Sequence, residues 1–306
     1  MEPFFLDVDG EESEEYRLVR KGRHYACASA RDSIERIWPL CSEFLDSDVR
    51  QDARMNFHQR WWELYLTHTL LHAGVHLVRR DCRHPKQSGP DLLAQVVGMN
   101  LWIEAVSASA GEGPDAVRSG GPSKGPKPFP DQEIMLRFLQ AFSVKARYHA
   151  KCIKRGWANE SEAYVIALNG ALAERAYPCL QRFPRIVSVL LVGLEKASVE
   201  VEFDLDGTTS RAGEMHYEFQ HEVEKKSKNT VPLAAFLEPA NSCVSAVLYS
   251  TADAYTERGS ILVLNPIAKV PLPEAFLPCL PRYWADLRDS ILHLATHATG
   301  FSPAGA

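Results

Sequence analysis

Gly89-Pro90-Asp91-Leu92-Leu93-Ala94-Gln95-Val96-Val97, Gly98-Met99-Asn100, Leu101-Trp102-Ile103-Glu104-Ala105-Val106-Ser107: two apolar runs flank a turn, and each carries one carboxylate. The pattern predicts two strands, Asp91 to Val97 and Leu101 to Ser107, joined as a hairpin bent at Gly98-Met99-Asn100. Residues two apart on a strand share a face, so Trp102, Glu104 and Val106 point one way and Leu101, Ile103 and Ala105 the other. A turn centred between Gly98 and Met99 sets Asp91 opposite Val106 and diagonal to Glu104. The α-carbons would then be roughly 7 Å apart, near enough for both carboxylates to hold one cation, and a one-residue change in the turn is expected to break the arrangement. Two carboxylates on one face repel unless they share a proton or a metal. Oxygen-only ligands favour Mg²⁺ or Mn²⁺ over zinc. Such a cation acidifies water and neutralises a scissile phosphate, which is what phosphodiester hydrolysis requires.

Working outward, Phe57, Trp61, Leu64, His68 and Leu71 recur at helical spacing and predict a helix from about Asp52 to Ala73, capped by Gly74. Val75 to Arg80 reads as a strand, and Gln87-Ser88-Gly89-Pro90 as a turn. Downstream, 111–130 is rich in Gly, Pro and Ser with interspersed Lys and predicts a long loop. Asp131 then caps a helix that carries Glu133 in its first turn and Lys154-Arg155 before Gly156. On its wheel Met135, Phe138, Leu139, Phe142, Ala146, His149 and Ile153 form the core-facing stripe. Lys145 lies on the flank of that stripe, whereas Lys151 and Lys154 fall on the solvated side.

Gly-Pro-Asp91 followed by Trp-Ile-Glu104-Ala-Val resembles the signature of the PD-(D/E)XK, or restriction-endonuclease-like, nuclease superfamily. Val106 stands where that signature has its lysine. Some members carry the lysine on the next helix, and Lys145 is the lysine positioned to return toward the sheet. The superfamily's preceding helix frequently supplies a further glutamate, and Arg60-Trp61-Trp62-Glu63-Leu64-Tyr65 resembles that element. The resemblance implies an α/β fold with a central mixed sheet flanked by helices, and a metal-dependent nuclease acting on nucleic acid, DNA in preference to RNA. Asp91 and Glu104 would bind Mg²⁺ or Mn²⁺, Glu63 would support the metal or its waters, the Ala105 carbonyl would complete the coordination, and Lys145 would position or activate the attacking water. The recognisable pieces run from about Asp52 to Gly170.

Each of these residues has a plainer reading. Asp91 suits a turn after Gly-Pro. Glu104, in the middle of an apolar strand, must be exposed at an edge, paired or functional. Glu63 suits a solvated position or a salt bridge to Arg60, and Lys145 a lysine snorkelling from the core edge. If Lys145 points away, the expectation becomes a catalytically inactive nuclease-like protein retained for nucleic-acid binding or regulation. His68 and His72 have the spacing of a zinc pair, but no Glu follows His68 as a zinc protease needs, so these and His76, His293 and His297 read as core or edge histidines. Gly120-Gly-Pro-Ser-Lys-Gly-Pro lacks the ending of a phosphate-binding loop and a preceding strand.

The rest of the chain supplies context. Residues 1–50 read as an acidic leader with a short helix beginning near Asp32 and interrupted around Pro39. Residues 51–306 read as the nuclease-like domain, with an insertion or extension around 195–240. Tyr164 to Leu168, Ile186 to Val192, Val244 to Ser250 and Ile261 to Leu264 read as strands, and Trp284 to Thr296 as a final helix. The seven cysteines form no CxxC pair and their odd number argues against a disulfide framework, so a cytoplasmic location is expected. The amino end lacks a secretory pattern and no apolar run spans a bilayer. A net charge of −5 does not advertise nucleic-acid binding, so basic groups would have to be confined to one groove.

Overall fold

The computed structural model describes residues 2–83, 89–118, 129–177, 179, 181–203, 210–288 and 291–297. Its centre is an eight-stranded mixed sheet built from β1 (His76–Leu77), β2 (Leu92–Val96), β3 (Met99–Ser107), β4 (Ala163–Asn169), β9 (Ala246–Ser250), β10 (Ser260–Leu264), β11 (Arg282–Arg288) and β12 (Ile291–His297), in that spatial order. Two hairpins stand outside it: β5 (Leu194–Phe203) with β6 (Ser210–Gln220), and β7 (Glu222–Glu224) with β8 (Thr230–Pro232). β3, β4 and β9 run parallel, and their apolar composition follows from burial on both faces.

The sheet separates two cores. On one side α1 (Glu14–Lys21), α2 (Tyr25–Cys41), α3 (Val49–Ala53) and α4 (Phe57–His72) cover Leu101, Ile103 and Ala105. On the other, α5 (Asp131–Lys154) and the helical segment 185–192 cover Trp102, Tyr164, Ile166 and Leu168. The amino-terminal residues do not stand apart as a leader. Phe4 and Phe5 are buried in the first core, and their N–H groups donate to the Glu35 carboxylate at 2.9 and 3.1 Å.

Several elements differ from expectation. The helix expected from Asp32 starts at Tyr25 and runs through Pro39, which removes one backbone hydrogen bond and crowds the carbonyl of Glu35 shortly before the helix ends at Cys41. The helix expected from Asp52 breaks after Ala53 and restarts at Phe57. The strand expected from Val75 shrinks to two residues. Ile186 to Val192 is helical, ending as a π turn at Gly193 (φ +88°), because an unbroken apolar run suits a buried helix as well as a buried strand. The expected final helix is instead the hairpin β11–β12, with β11 pairing parallel to the free edge of β10. Asp131 is the first helical residue rather than the cap, and its carboxylate binds the buried Arg185 at 2.6 Å. The long loop and the Gly120-Gly121 motif lie largely outside the described residues, as does part of the Gln87–Pro90 turn. Among the described residues no helix is long and apolar enough to cross a membrane.

Candidate active site

Register decides where the carboxylates meet. The hairpin turn is Val97-Gly98, one residue earlier than expected, with φ of +50° and +74° as a type I′ turn requires. Val96 therefore faces Met99 and Leu92 faces Ile103. Continuing that ladder puts Asp91 level with Glu104 rather than with Val106. The shared face survives, because moving the turn centre by one residue moves each partner by two.

β3 outruns β2 at this point, and side chains replace the missing strand. The Ala105 N–H donates to Asp91 Oδ2 at 2.7 Å, and the Ser107 N–H donates to Gln59 Oε1 at 2.7 Å. Gln59 Nε2 in turn donates to the Ala105 carbonyl at 3.3 Å and to Glu63 Oε1 at 2.9 Å. Glu104 is buried within the sheet, and Lys145 reaches it from α5, placing Nζ 2.5 Å from Oε1. The second oxygen, Oε2, is buried without a hydrogen-bond partner. Tyr148 and Tyr164 steady this corner: the Tyr148 hydroxyl donates to the Gly89 carbonyl at 3.3 Å and that of Tyr164 to the Lys145 carbonyl at 3.2 Å. Lys151 and Lys154 are exposed, and Val106 packs in the second core.

Glu63 is brought to the same place from α4, on the opposite side of the sheet. Both its oxygens are engaged by Arg60 Nη1, at 2.9 and 2.7 Å, and Arg60 Nε donates to Asp52 at 2.5 Å. The salt-bridge alternative thus describes its present contacts, within reach of the site. Gln59 was missed by sequence reasoning; the available signal was its i, i+4 spacing to Glu63 on the helix face turned toward the sheet.

The electrostatics are those of crowded, desolvated carboxylates. Burial and then the charge of Asp91 push both Glu104 and Glu63 above the usual carboxylate range, against the pull of Lys145 and Arg60 respectively. Burial also raises Asp91, opposed by Lys145 and the Ala105 N–H. For Lys145, burial works to lower the pKa, but Glu104 and Asp91 outweigh it and hold the amine above its ordinary value. Lys145 is therefore a standing cation, suited to orienting and polarising rather than to accepting a proton.

The donors suit a hard divalent cation. Asp91, the unpartnered Oε2 of Glu104 and the Ala105 carbonyl are all oxygens, and Mg²⁺ keeps several waters in its remaining positions. Among the described residues no group of three or more His, Cys, Asp or Glu side chains is arranged to hold a metal, and Glu63 is occupied by Arg60. His68 and His72 stack on each other with ring centroids 6.0 Å apart at the surface of α4. Beside Asp91 opens a cleft of about 560 Å³ lined by Arg79, Arg80, Arg83, Pro90 and Trp102, with Asp46 among its acidic residues. A larger cavity, about 1160 Å³, lies along β10 and β11 and holds none of these groups. Comparison with protein-family models, with curated proteins and with solved structures gives no match.

Proposed function

We propose that the chain is a divalent-metal-dependent nuclease built on a restriction-endonuclease-like sheet, hydrolysing phosphodiester bonds of nucleic acid, DNA before RNA. The observation that carries this reading is the lysine from the following helix, 2.5 Å from a buried strand glutamate whose neighbour Ala105 donates its N–H to a second carboxylate, the half-buried Asp91. A structural salt bridge alone gives a weak account of it. Two carboxyl groups and a lysine taken out of water cost more than well-packed apolar residues would, so the arrangement is more readily explained by chemistry than by stability.

Asp91, Glu104 and the Ala105 carbonyl would hold Mg²⁺ or Mn²⁺, which supplies charge neutralisation at the phosphate and acidification of water. The protonated Lys145 orients the attacking water and stabilises charge developing on the phosphate oxygens. Asp91 is aimed by the Ala105 N–H, and Gln59 fixes the strand that carries Glu104. The cleft beside Asp91 is lined by three arginines and three acids. Arg79 and Arg80 pair with Glu43, Asp81 and Asp46, and Arg83 donates to the Val78, Asp91 and Phe44 carbonyls, so a polyanion would have to draw Arg79 and Arg80 from their acidic partners. Basic groups confined to one groove are compatible with an acidic chain.

A cleavage assay with Mn²⁺ or Mg²⁺ on single- and double-stranded DNA and RNA tests this directly. DNA should be cut, and cutting should disappear in Lys145→Met and Glu104→Gln but persist in Lys151→Met. The second reading, an inactive nuclease-like binding protein, is favoured by Val106 and by the capture of Glu63 by Arg60. Retained DNA binding with no cleavage under any of these metals would establish it in place of catalysis.

A further inference from the structure

Three carboxylates converge on this site, and the chain sets two cations against them: Lys145 on Glu104, and Arg60 on Glu63. The two are not equivalent. Lys145 meets Glu104 on the face where the metal donors converge and leaves one oxygen of Glu104 without a partner. Arg60 Nη1 engages both oxygens of Glu63, and Gln59 donates to one of them as well, so a cation reaching Glu63 has to compete with a charged donor. Yet Gln59 Nε2 bridges Glu63 Oε1 at 2.9 Å and the Ala105 carbonyl at 3.3 Å, so the carboxylate lies one amide group away from the donors and can join them if it is released. Arg60 also has a second anchor. Its Nε is already bonded to Asp52, which is about one-third exposed, so the guanidinium can give up Glu63 without being left unpaired.

Resting on the nuclease reading above, we propose that Arg60 is a resident counter-cation that holds Glu63 out of the ligand set, and that an incoming divalent cation competes with it for Glu63. When the cation enters, Arg60 withdraws onto Asp52 and Glu63 becomes the third carboxylate. Metal loading is thereby weakened in the free protein. The displaced guanidinium, turned from Glu63, is a positive group beside the site that a bound phosphate chain can meet.

Mn²⁺ affinity of the full chain, measured by calorimetry on the wild type, Arg60→Gln, Glu63→Gln and the double variant, tests the idea without reference to cleavage. Removing one nearby positive charge should tighten Mn²⁺ binding by about tenfold in Arg60→Gln. A general field effect would give the same gain with or without Glu63, whereas competition for Glu63 requires the gain to vanish in the Glu63→Gln background. Asp52→Asn, at a partly exposed position, removes the retreat and should weaken binding relative to the wild type. A gain confined to chains with Glu63, together with weaker binding in Asp52→Asn, supports the proposal. Wild-type binding that Arg60→Gln leaves unchanged or weakens, an equal gain without Glu63, or unaltered binding in Asp52→Asn overturns it and spares the nuclease reading. Absence of Mn²⁺ binding in every variant overturns both.

Discussion

Glu104 is where burial and charge conflict most sharply, and its titration makes the conflict measurable. Burial and Asp91 raise its carboxyl from 4.5 to about 8 in the folded chain. The native state therefore holds a proton that the unfolded chain has released between those values. The associated stability is fully present below the unfolded pKa and is lost as pH rises through the folded one. Glu104→Gln lacks this titration. In metal-free buffer its melting temperature should gain on the wild type from pH 5 to pH 8 and then run parallel; a gap that stays constant over that range would show that Glu104 is not desolvated as described. The meeting of Asp91, Glu104 and Lys145 was legible because strand alternation and the helix wheel are geometric rules that need no tertiary knowledge. The pairing of Glu63 with Arg60 was one of two readings of that helix, but its burial beside the site, and the hold of Gln59 on the edge of β3, were not legible. A salt bridge at i, i+3 is visible in any helix, but whether it is buried against a third carboxylate depends on how α4 docks.

At the level of elements, a clear period sufficed for β2 and α5, and short apolar runs bounded by turns sufficed for the doubly buried β4 and β9, whereas the unbroken run at 186–192 was misread. β2 alternates and α5 has a one-sided stripe, so their periods are distinct, whereas β3 is buried on both faces from Leu101 to Ala105. Residues 186–192 are buried all round and the sequence carries no period to choose helix over strand. The β2–β3 turn shows a different limit. Gly98 was expected in it, but Val97 shares the positive-φ position, an unfavourable place for a β-branched residue, and is 78% exposed, so packing does not reward it. Val97→Asn creates the Asn-Gly pair that a type I′ turn prefers and should stabilise the chain by about 1 kcal/mol without moving Asp91. Chemical denaturation would read the gain in the midpoint, and a lower midpoint would show that the valine contributes something that the turn geometry does not reveal.

For the molecule as a whole, the chain order already implied a sheet spanning both halves, but not that the last segment would extend it. The β5–β6 hairpin lies off that sheet, and Leu194 faces Gln220 across its base. Gly193 is required there, since a Cβ would come within 2.5 Å of the Gln220 carbonyl oxygen. Excising 197–217 and joining the ends through two glycines should leave a cooperatively folded chain whose melting temperature in calorimetry stays near that of the parent; loss of the transition would mean that the hairpin is part of the main core. The side chains that finish β3 are not removable in this way. Asp91 accepts the Ala105 N–H, so a chain that had lost catalysis would still need an oxygen at that position to avoid leaving a backbone donor unmade. Glu104 and Lys145 carry no such debt to the backbone, and a lineage drifting after loss of activity would shed them first. Asp91 persisting alone would then be a fossil of architecture rather than a trace of chemistry.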